Sequence, residues 1–474
     1  MALFFICLGL LIAGYFLYGA IVEKAFGADS SRPTPAHTMA DGVDYVEMSP
    51  IKIFLVQLLN IAGLGPIFGP ILGALYGPSA LIWIVIGSIF GGAVHDYFSG
   101  MLSVRHEGRS IPDVVGQQLG NGFMQFMRVF AIILLLLVGV VFVLGPAKLL
   151  AALSPISVMA WVAIIFVYYF LATILPIDKI IGRIYPFFGA VLLFMAIGLT
   201  VALMAQGYHL FPQMTLANLH PKHLPMWPLM FITIACGAVS GFHATQSPLM
   251  ARCVGNEKLG RPIFYGAMIG EGIIALIWAT LGMAFYNGSA GLGAALAKGG
   301  PAFVVNQIST TLLGHFGGLL AIIGVVILPI SSGDTAFRAA RLIVADFAKL
   351  PQKAVSKRLY LAVPLFVIGF LISRGDFAVI WRYFGWANQT LATVVLWTGA
   401  AYLIKKGRAH WIATIPATFM TAVVATYLAY AKIGFNLPIH VADIIGVVVA
   451  AGSLILFFIK FRKSGEAAPE PGAA

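Results

Sequence analysis

The sequence predicts an all-α integral membrane protein of about 13 transmembrane helices, its centre built from a five-helix unit repeated upside-down. Three observations predict it: a composition that only lipid can solvate, a series of apolar runs long enough to span a bilayer, and two of those runs broken at matching places. Charged residues are 10% of the 474-residue chain and apolar residues 60%, where a soluble domain carries about 25% charge. Mean hydropathy is +0.95. A chain of this length cannot hide that much apolar surface in water-bounded cores, so its solvent is lipid.

Apolar runs long enough to cross fall at 2–22, 51–75, 79–104, 123–147, 155–176, 183–206, 226–250, 262–287, 317–345, 357–373, 384–404, 409–430 and 440–461. The first, Ala2 to Val22, has no basic leading segment and is long enough to span, so it reads as a retained helix and not as a cleaved signal. A Gly/Ala-rich loop is expected from Asn287 to Gly317, and within it Pro301 to Leu313 is too short to span and reads as an interfacial helix. The tail from 464 to 474 has a disordered composition.

The net charge of +12 is dispersed in short loops between apolar runs. That distribution belongs to membrane topology and excludes a nucleic-acid-binding face. One set of alternating loops, with the C-terminal tail, carries Arg105, Arg109, Lys179, Arg183, Arg252, Lys258, Arg261, Arg341, Lys349, Lys353, Lys357, Arg358, Lys405, Lys406, Arg408, Lys460, Arg462 and Lys463. The other carries Lys148, Lys222, Lys298, Arg374, Arg382 and Lys432, a tally of 18 against 6. The positive-inside rule then places the C-terminus in the cytoplasm and, with 13 spans, the N-terminus outside. The acid-rich loop from Glu23 to Ile51 falls inside, and acidic residues count for little in that rule. The three cysteines, Cys7, Cys236 and Cys253, have no metal-binding spacing and suggest no disulfide framework.

The second span contains IAGLGPIFGP (61–70), with Gly63, Gly65, Pro66, Gly69 and Pro70. Proline removes a backbone donor and glycine costs about 1 kcal/mol per helical site, so this stretch should unwind. The seventh contains ACGAVSGFHATQSP (235–248), where Gly237, Ser240, Gly241, His243, Thr245, Gln246 and Pro248 interrupt an apolar run. Unwound backbone at membrane depth is tolerated only beside protein or a water-filled cavity. Two broken spans, separated by four unbroken ones and running oppositely, fit an inverted repeat whose half-helix ends and bare carbonyls face a solute and an ion. The plainer alternative is helix packing, for which Gly237 and Gly241 supply a small-xxx-small pair.

Charges within spans are costly and need a reading each. In the third span His95 adjoins Asp96, with Ser99 one turn on. An imidazole beside a carboxylate can relay a proton; otherwise the two form a helix-end pair near the headgroups, holding Arg105 or a neighbouring backbone. Glu271, in the eighth span, is either a proton-carrying acid or one half of a structural pair with an Arg or Lys. In the ninth span Ser331, Asp334, Thr335 and Arg338 share one face. That face could hold Na⁺, or Asp334 could carry a coupling proton, against the plainer reading of an Asp334–Arg338 pair at i, i+4. His243, inside the seventh-span break, is a candidate for contacting an anionic solute. No zinc-protease, nucleophile-elbow or phosphate-loop motif is present, so no enzyme is expected.

At IAGLGPIFGPILGALYGP (61–78), GAVHDYFSGMLSVRHEGRSIPDVV (92–115), ACGAVSGFHATQSP (235–248) and GDTAFRAARLIVAD (333–346) the chain resembles the carbon starvation protein A family of bacterial inner-membrane transporters. The resemblance implies a place in the amino acid/polyamine/organocation superfamily and the five-plus-five, leucine transporter-like core. Residues 51–206 would then form the first repeat and 226–404 the second, with 1–22 and 409–461 accessory. It implies a solute site at Gly63, Gly65, Pro66, Gly69, Gly237, Ser240, Gly241 and His243. It implies a sodium site around Ala62 with Ser331, Ser332 and Thr335. It implies uptake of pyruvate or a similar carboxylate, or of peptides, during carbon starvation, driven by H⁺ or Na⁺ and without another cofactor. The chain is shorter than the better-known members and lacks their extra spans and longer C-terminal region.

Overall fold

The computed structural model describes residues 2–42, 45–174, 177–209, 215–350, 352 and 354–462, and for 174, 177–190 and 462 the backbone alone. The side chains of Lys179, Arg183, Lys353, Arg462 and Lys463, and the tail 464–474, lie outside the described residues. What is described is helical, and all 13 expected spans are present as helices. Among the described residues nine helices are long and apolar enough to cross a membrane, ten if the bent pair Pro50–Ile61 and Gly65–Tyr76 counts as one span. The other three expected spans are Val158–Ile174, Ile177–Ala205 and Phe377–Lys405.

Burial sorts the spans. The third (Ser79–Arg105) and eighth (Glu257–Phe285) have 83% of their most apolar stretch enclosed by protein, whereas the tenth (Val355–Ser373) and thirteenth (Ile439–Phe461) have 22%. Lipid is the solvent for the outer helices, so their apolar residues need no protein partner. Exposed Ile444, Val447, Val448 and Ile455 are of that kind.

Both predicted breaks are present. Helix geometry stops at Ala62 and resumes at Gly65 with the axis turned by 50°. Pro66 sits in the first turn of the second half, where its missing N–H has no helical partner to lose. In the seventh span, Met226–Ile234 is followed by a tight turn at Ala235–Gly237 and a second helix, Gly241–Ala251. Ala235 there has φ +41°, a left-handed conformation that an alanine adopts only under constraint. The first half of the second span packs against the second half of the seventh, and the second half against the first. The breaks therefore lie side by side, running opposite ways.

One expectation needs correction. The 287–317 stretch is not a loop but a continuation of helix from Ser289, bent at Gly299, Gly300 and Gly314. Its Ala/Leu-rich start, SAGLGAALAK, has the propensity to wind, and Pro301 to Leu313 forms the helix between the bends. In the third span, backbone pairing widens to the π type over Gly87–Gly92 just before His95, a feature that re-aims the residues after it.

Candidate functional site

The third span presents His95 and Asp96 one turn beyond its widened segment, the seventh presents His243 just after its break, and the eighth presents Glu271. All four side chains are fully buried. His95 Nδ1 donates to Asp96 Oδ1 at 2.7 Å, and His243 Nδ1 donates to Asp96 Oδ2 at 2.9 Å. On its other side His243 Nε2 lies 3.1 Å from Glu271 Oε2. Ser99 Oγ donates to Ser247 Oγ at 3.0 Å, and Ser247 Oγ donates to the His243 carbonyl at 2.9 Å, which ties the third and seventh spans together beneath the cluster.

Two corrections follow. Glu271 does not pair with an Arg or Lys; its partner is the His243 imidazole. Asp96 and His95 are not a helix-end pair holding Arg105, because Arg105 instead meets Glu257 at 2.9 Å at the end of the span. Each pairing joins different spans, which hides it from any pattern along a single helix.

The protonation arithmetic of the line Asp96–His243–Glu271 is simple. The Asp96–His243 contact is attractive only with a proton between the heavy atoms, since otherwise lone pair faces lone pair, and His243 and Glu271 attract as opposite charges when the imidazole is protonated and the carboxyl ionised. In that state an imidazolium between two carboxylates leaves one net negative charge. A third proton on Glu271 makes the line neutral. Both Glu271 oxygens, His243 Nε2 and His95 Nε2 have no hydrogen-bond partner among the described residues, so the His243–Glu271 contact is one of charge without hydrogen-bond alignment, and Glu271 has acceptor capacity left.

The unwound backbone of the seventh span is satisfied by a residue pair that the sequence reading did not single out. Asn388 Oδ1, from the eleventh span, accepts from Phe242 N at 2.7 Å and from Ser240 Oγ at 3.3 Å. Gln389 Nε2 donates to the Val239 carbonyl at 2.8 Å. Asn388 thereby caps the second half-helix from outside its own span. Two adjacent amides in an otherwise apolar run, WANQT, were the available signal.

The glycines assigned to a solute site mostly serve close approach. At Gly69 a Cβ would fall 2.5 Å from the Ile234 carbonyl, and at Gly65 it would overlap Cys236. Gly63 faces Phe142, Gly237 faces Ala275 and Pro70, and Gly241 lies on the backbone at Asn388. The breaks meet each other directly, and Pro66 is buried with them. His243, the candidate for an anionic solute, has both ring nitrogens turned toward carboxylates.

Of the residues assigned to ions, Ser332 Oγ donates to the Leu59 carbonyl at 3.2 Å, which joins the ninth span to the second just before Ala62. Ser331 Oγ bonds back to the Leu328 carbonyl and Thr335 Oγ1 to the Ser332 carbonyl. Asp334 accepts from Arg338 at 3.1 Å, the i, i+4 pair given above as the plainer reading. Among the described residues no group of three or more His, Cys, Asp or Glu is arranged to hold a metal ion.

The sequence profile described as carbon starvation protein CstA matches residues 1–160, 146–288 and 279–427. An uncharacterised membrane protein of Haemophilus influenzae is 50% identical over 349 residues, covering 62% of this chain and 94% of that one. The peptide transporter CstA of Bacillus subtilis is 28% identical over 536 aligned residues, covering 89% and 88%. The pyruvate/proton symporter BtsT of Escherichia coli is 28% identical over 329 residues, covering 56% and 46%. Among solved structures, a mutant of the manganese transporter of Eremococcus coleocola superposes with a TM-score of 0.56 at 13% identity, over 87% of this chain and 94% of the other. MhsT in complex with L-phenylalanine superposes with 0.55 at 14%, over 88% and 99%. At these identities the likeness is one of fold, and the fold is that of the leucine transporter.

Proposed function

The chain belongs to the carbon starvation protein CstA family, and on that basis we propose that it imports a small organic carboxylate, pyruvate or a close analogue, coupled to protons. It is a multi-pass membrane transporter. Its setting in this proposal is the bacterial inner membrane during carbon starvation, with the N-terminus outside and the C-terminus cytoplasmic, and with no cofactor beyond the coupling ion.

The observation that carries the proton is the buried line Asp96–His243–Glu271. It joins the third and eighth spans to the half-helix that follows the seventh-span break. Any movement of that half-helix stretches or shortens contacts of 2.9 and 3.1 Å. Lengthening the His243–Glu271 contact weakens the attraction of the imidazole for the Glu271 carboxylate, and the proton affinity of Glu271 changes with conformation. That is the differential interaction a coupled transporter needs between its two states. Sodium at Ala62, Ser331, Ser332 and Thr335 is the competing coupling, and Asp334 the competing proton carrier.

A second reading, uptake of short peptides by the same route, is favoured by the name and near-complete alignment of the Bacillus subtilis relative. One experiment separates these readings. Purified protein in liposomes is given labelled pyruvate or a labelled dipeptide, under an imposed proton gradient or an imposed sodium gradient. Concentrative pyruvate uptake under the proton gradient alone is expected. Accumulation only with sodium moves the coupling to the ninth-span hydroxyls, accumulation only of dipeptide selects the second reading, and no accumulation of either sinks both.

A further inference from the structure

A cavity of about 1230 Å³ opens at one end of the bundle. Its walls come from the second half of the second span, the end of the fourth, the segment before the seventh, the bent region 290–306, the start of the eleventh and the end of the twelfth. By loop charge this is the outer end. That end holds six basic residues in the tally above, and four of them, Lys148, Lys222, Arg382 and Lys432, line this one cavity. Asp376 is its one lining carboxylate, and Asp376 Oδ1 already accepts from Val379 N at 3.0 Å as a helix cap. Topology needs few cations on the outer side and gives no reason for them to converge.

The four differ in depth. Lys222, Arg382 and Lys432 are exposed, whereas Lys148 is half-buried. Its Nζ stands 4.5 Å over the Phe377 ring, and it forms no salt bridge among the described residues. Phe377 belongs to an aromatic floor with Phe68 and Trp381, at centroid separations of 6.3 Å and 6.2 Å from Phe68. Phe68 lies within the half-helix that starts at Gly65, directly after the break. A half-buried ammonium on an aromatic floor, whose one neighbouring lining carboxylate, Asp376, is held as a helix cap and makes no ion pair with it, is complementary to an anion supplied by a ligand. The exposed cations at the rim raise the local concentration of that anion.

We propose that this vestibule captures the carboxylate of the transported solute, with Lys148 as the docking cation above the second-span break. The inference rests on the carboxylate-import reading and adds a site to it. The carboxylate belongs either to a keto acid such as pyruvate or to the C-terminus of a peptide, and the solute is handed past Phe68 and Trp381 when the half-helix moves.

The test measures KM and kcat for pyruvate, a dipeptide and the same dipeptide amidated at its C-terminus. The proteins are wild type, Lys148→Gln, Lys148→Arg and Lys222→Gln, each reconstituted as the full chain. Lys148→Gln is expected to raise KM for the carried carboxylate about tenfold, the loss of one charge-assisted hydrogen bond, with kcat unchanged. Lys148→Arg should restore KM, and the amidated peptide should not respond to Lys148→Gln. Lys222→Gln should raise KM at low salt only, because an exposed charge acts through a screened field. The salt-dependent effect of Lys222→Gln decides the matter should Lys148→Gln fail to fold. An unmoved KM in Lys148→Gln, an equal rise for the amidated peptide, or a salt-independent Lys222→Gln overturns the proposal. Wild type that carries no carboxylate at all overturns the import reading instead.

Discussion

The imidazole of His243 stands between two carboxylates, 2.9 Å from Asp96 Oδ2 and 3.1 Å from Glu271 Oε2, with all three side chains sealed from solvent. Glu271→Gln keeps the shape of this line and removes the proton that Glu271 exchanges. Solute should then equilibrate across the membrane by exchange but not accumulate against a gradient, and the rate should lose its dependence on external pH. Counterflow and uphill uptake measured on the same liposomes check this. Uphill accumulation by Glu271→Gln excludes Glu271 as the coupling acid.

Asp96 carries two imidazoles, so its loss costs more than that of either partner. Asp96→Asn leaves two buried ring nitrogens without their charged acceptor, a change of about 3–5 kcal/mol where a buried pair is broken. His95→Gln, which removes only one contact, should cost less. Thermal unfolding of the detergent-solubilised variants gives the order, and an Asp96→Asn midpoint equal to wild type contradicts it.

Asn388 is a cap supplied by another span. Asn388→Leu orphans Phe242 N, leaves Ser240 Oγ with Cys236 Sγ alone, and should destabilise by about 1–3 kcal/mol. Asn388→Asp keeps the acceptor and should recover most of that loss. A Leu variant as stable as wild type shows that the cap does not hold the break.

Gly69 permits the second-span half-helix to lie on the Ile234 carbonyl. Gly69→Ala forces backbone apart where neither side can yield, an overpacking cost of about 1–3 kcal/mol. Transport should fall with it, since the breaks must meet to occlude solute. Gly452→Ala, where a Cβ meets open space, is the control and should leave both melting and transport unchanged.

Ion dependence separates the two coupling readings. Replacing sodium by choline at a fixed proton gradient should leave uptake unchanged, and Ser332→Ala should alter stability through its lost bond to the Leu59 carbonyl more than it alters ion dependence. Uptake that stops in choline and shifts its sodium dependence in Ser332→Ala assigns coupling to the ninth span.

The composition by itself determined that lipid is the solvent, because no soluble packing can enclose 60% apolar residues in such a chain. Hydropathy placed the 13 helices, and Gly63, Gly65, Pro66 and Gly237 marked both breaks, because helix propensity acts through neighbours along the chain. The same local logic failed at 287–317, where glycines bend a helix that the alanines between them still wind. Glu271 and Asp96 were visible as costly charges, but their common partner was not. Whether a buried carboxylate meets an arginine, an imidazole or nothing is settled by how separate helices pack on one another. The tertiary structure alone decided that His243 lies between Asp96 and Glu271, that Asn388 caps a helix in another span, and that four scattered cations converge on one cavity. Each of these brings together groups from different spans or the loops beside them, and their meeting depends on helix rotation and crossing, quantities to which the periodicity of a single helix is indifferent.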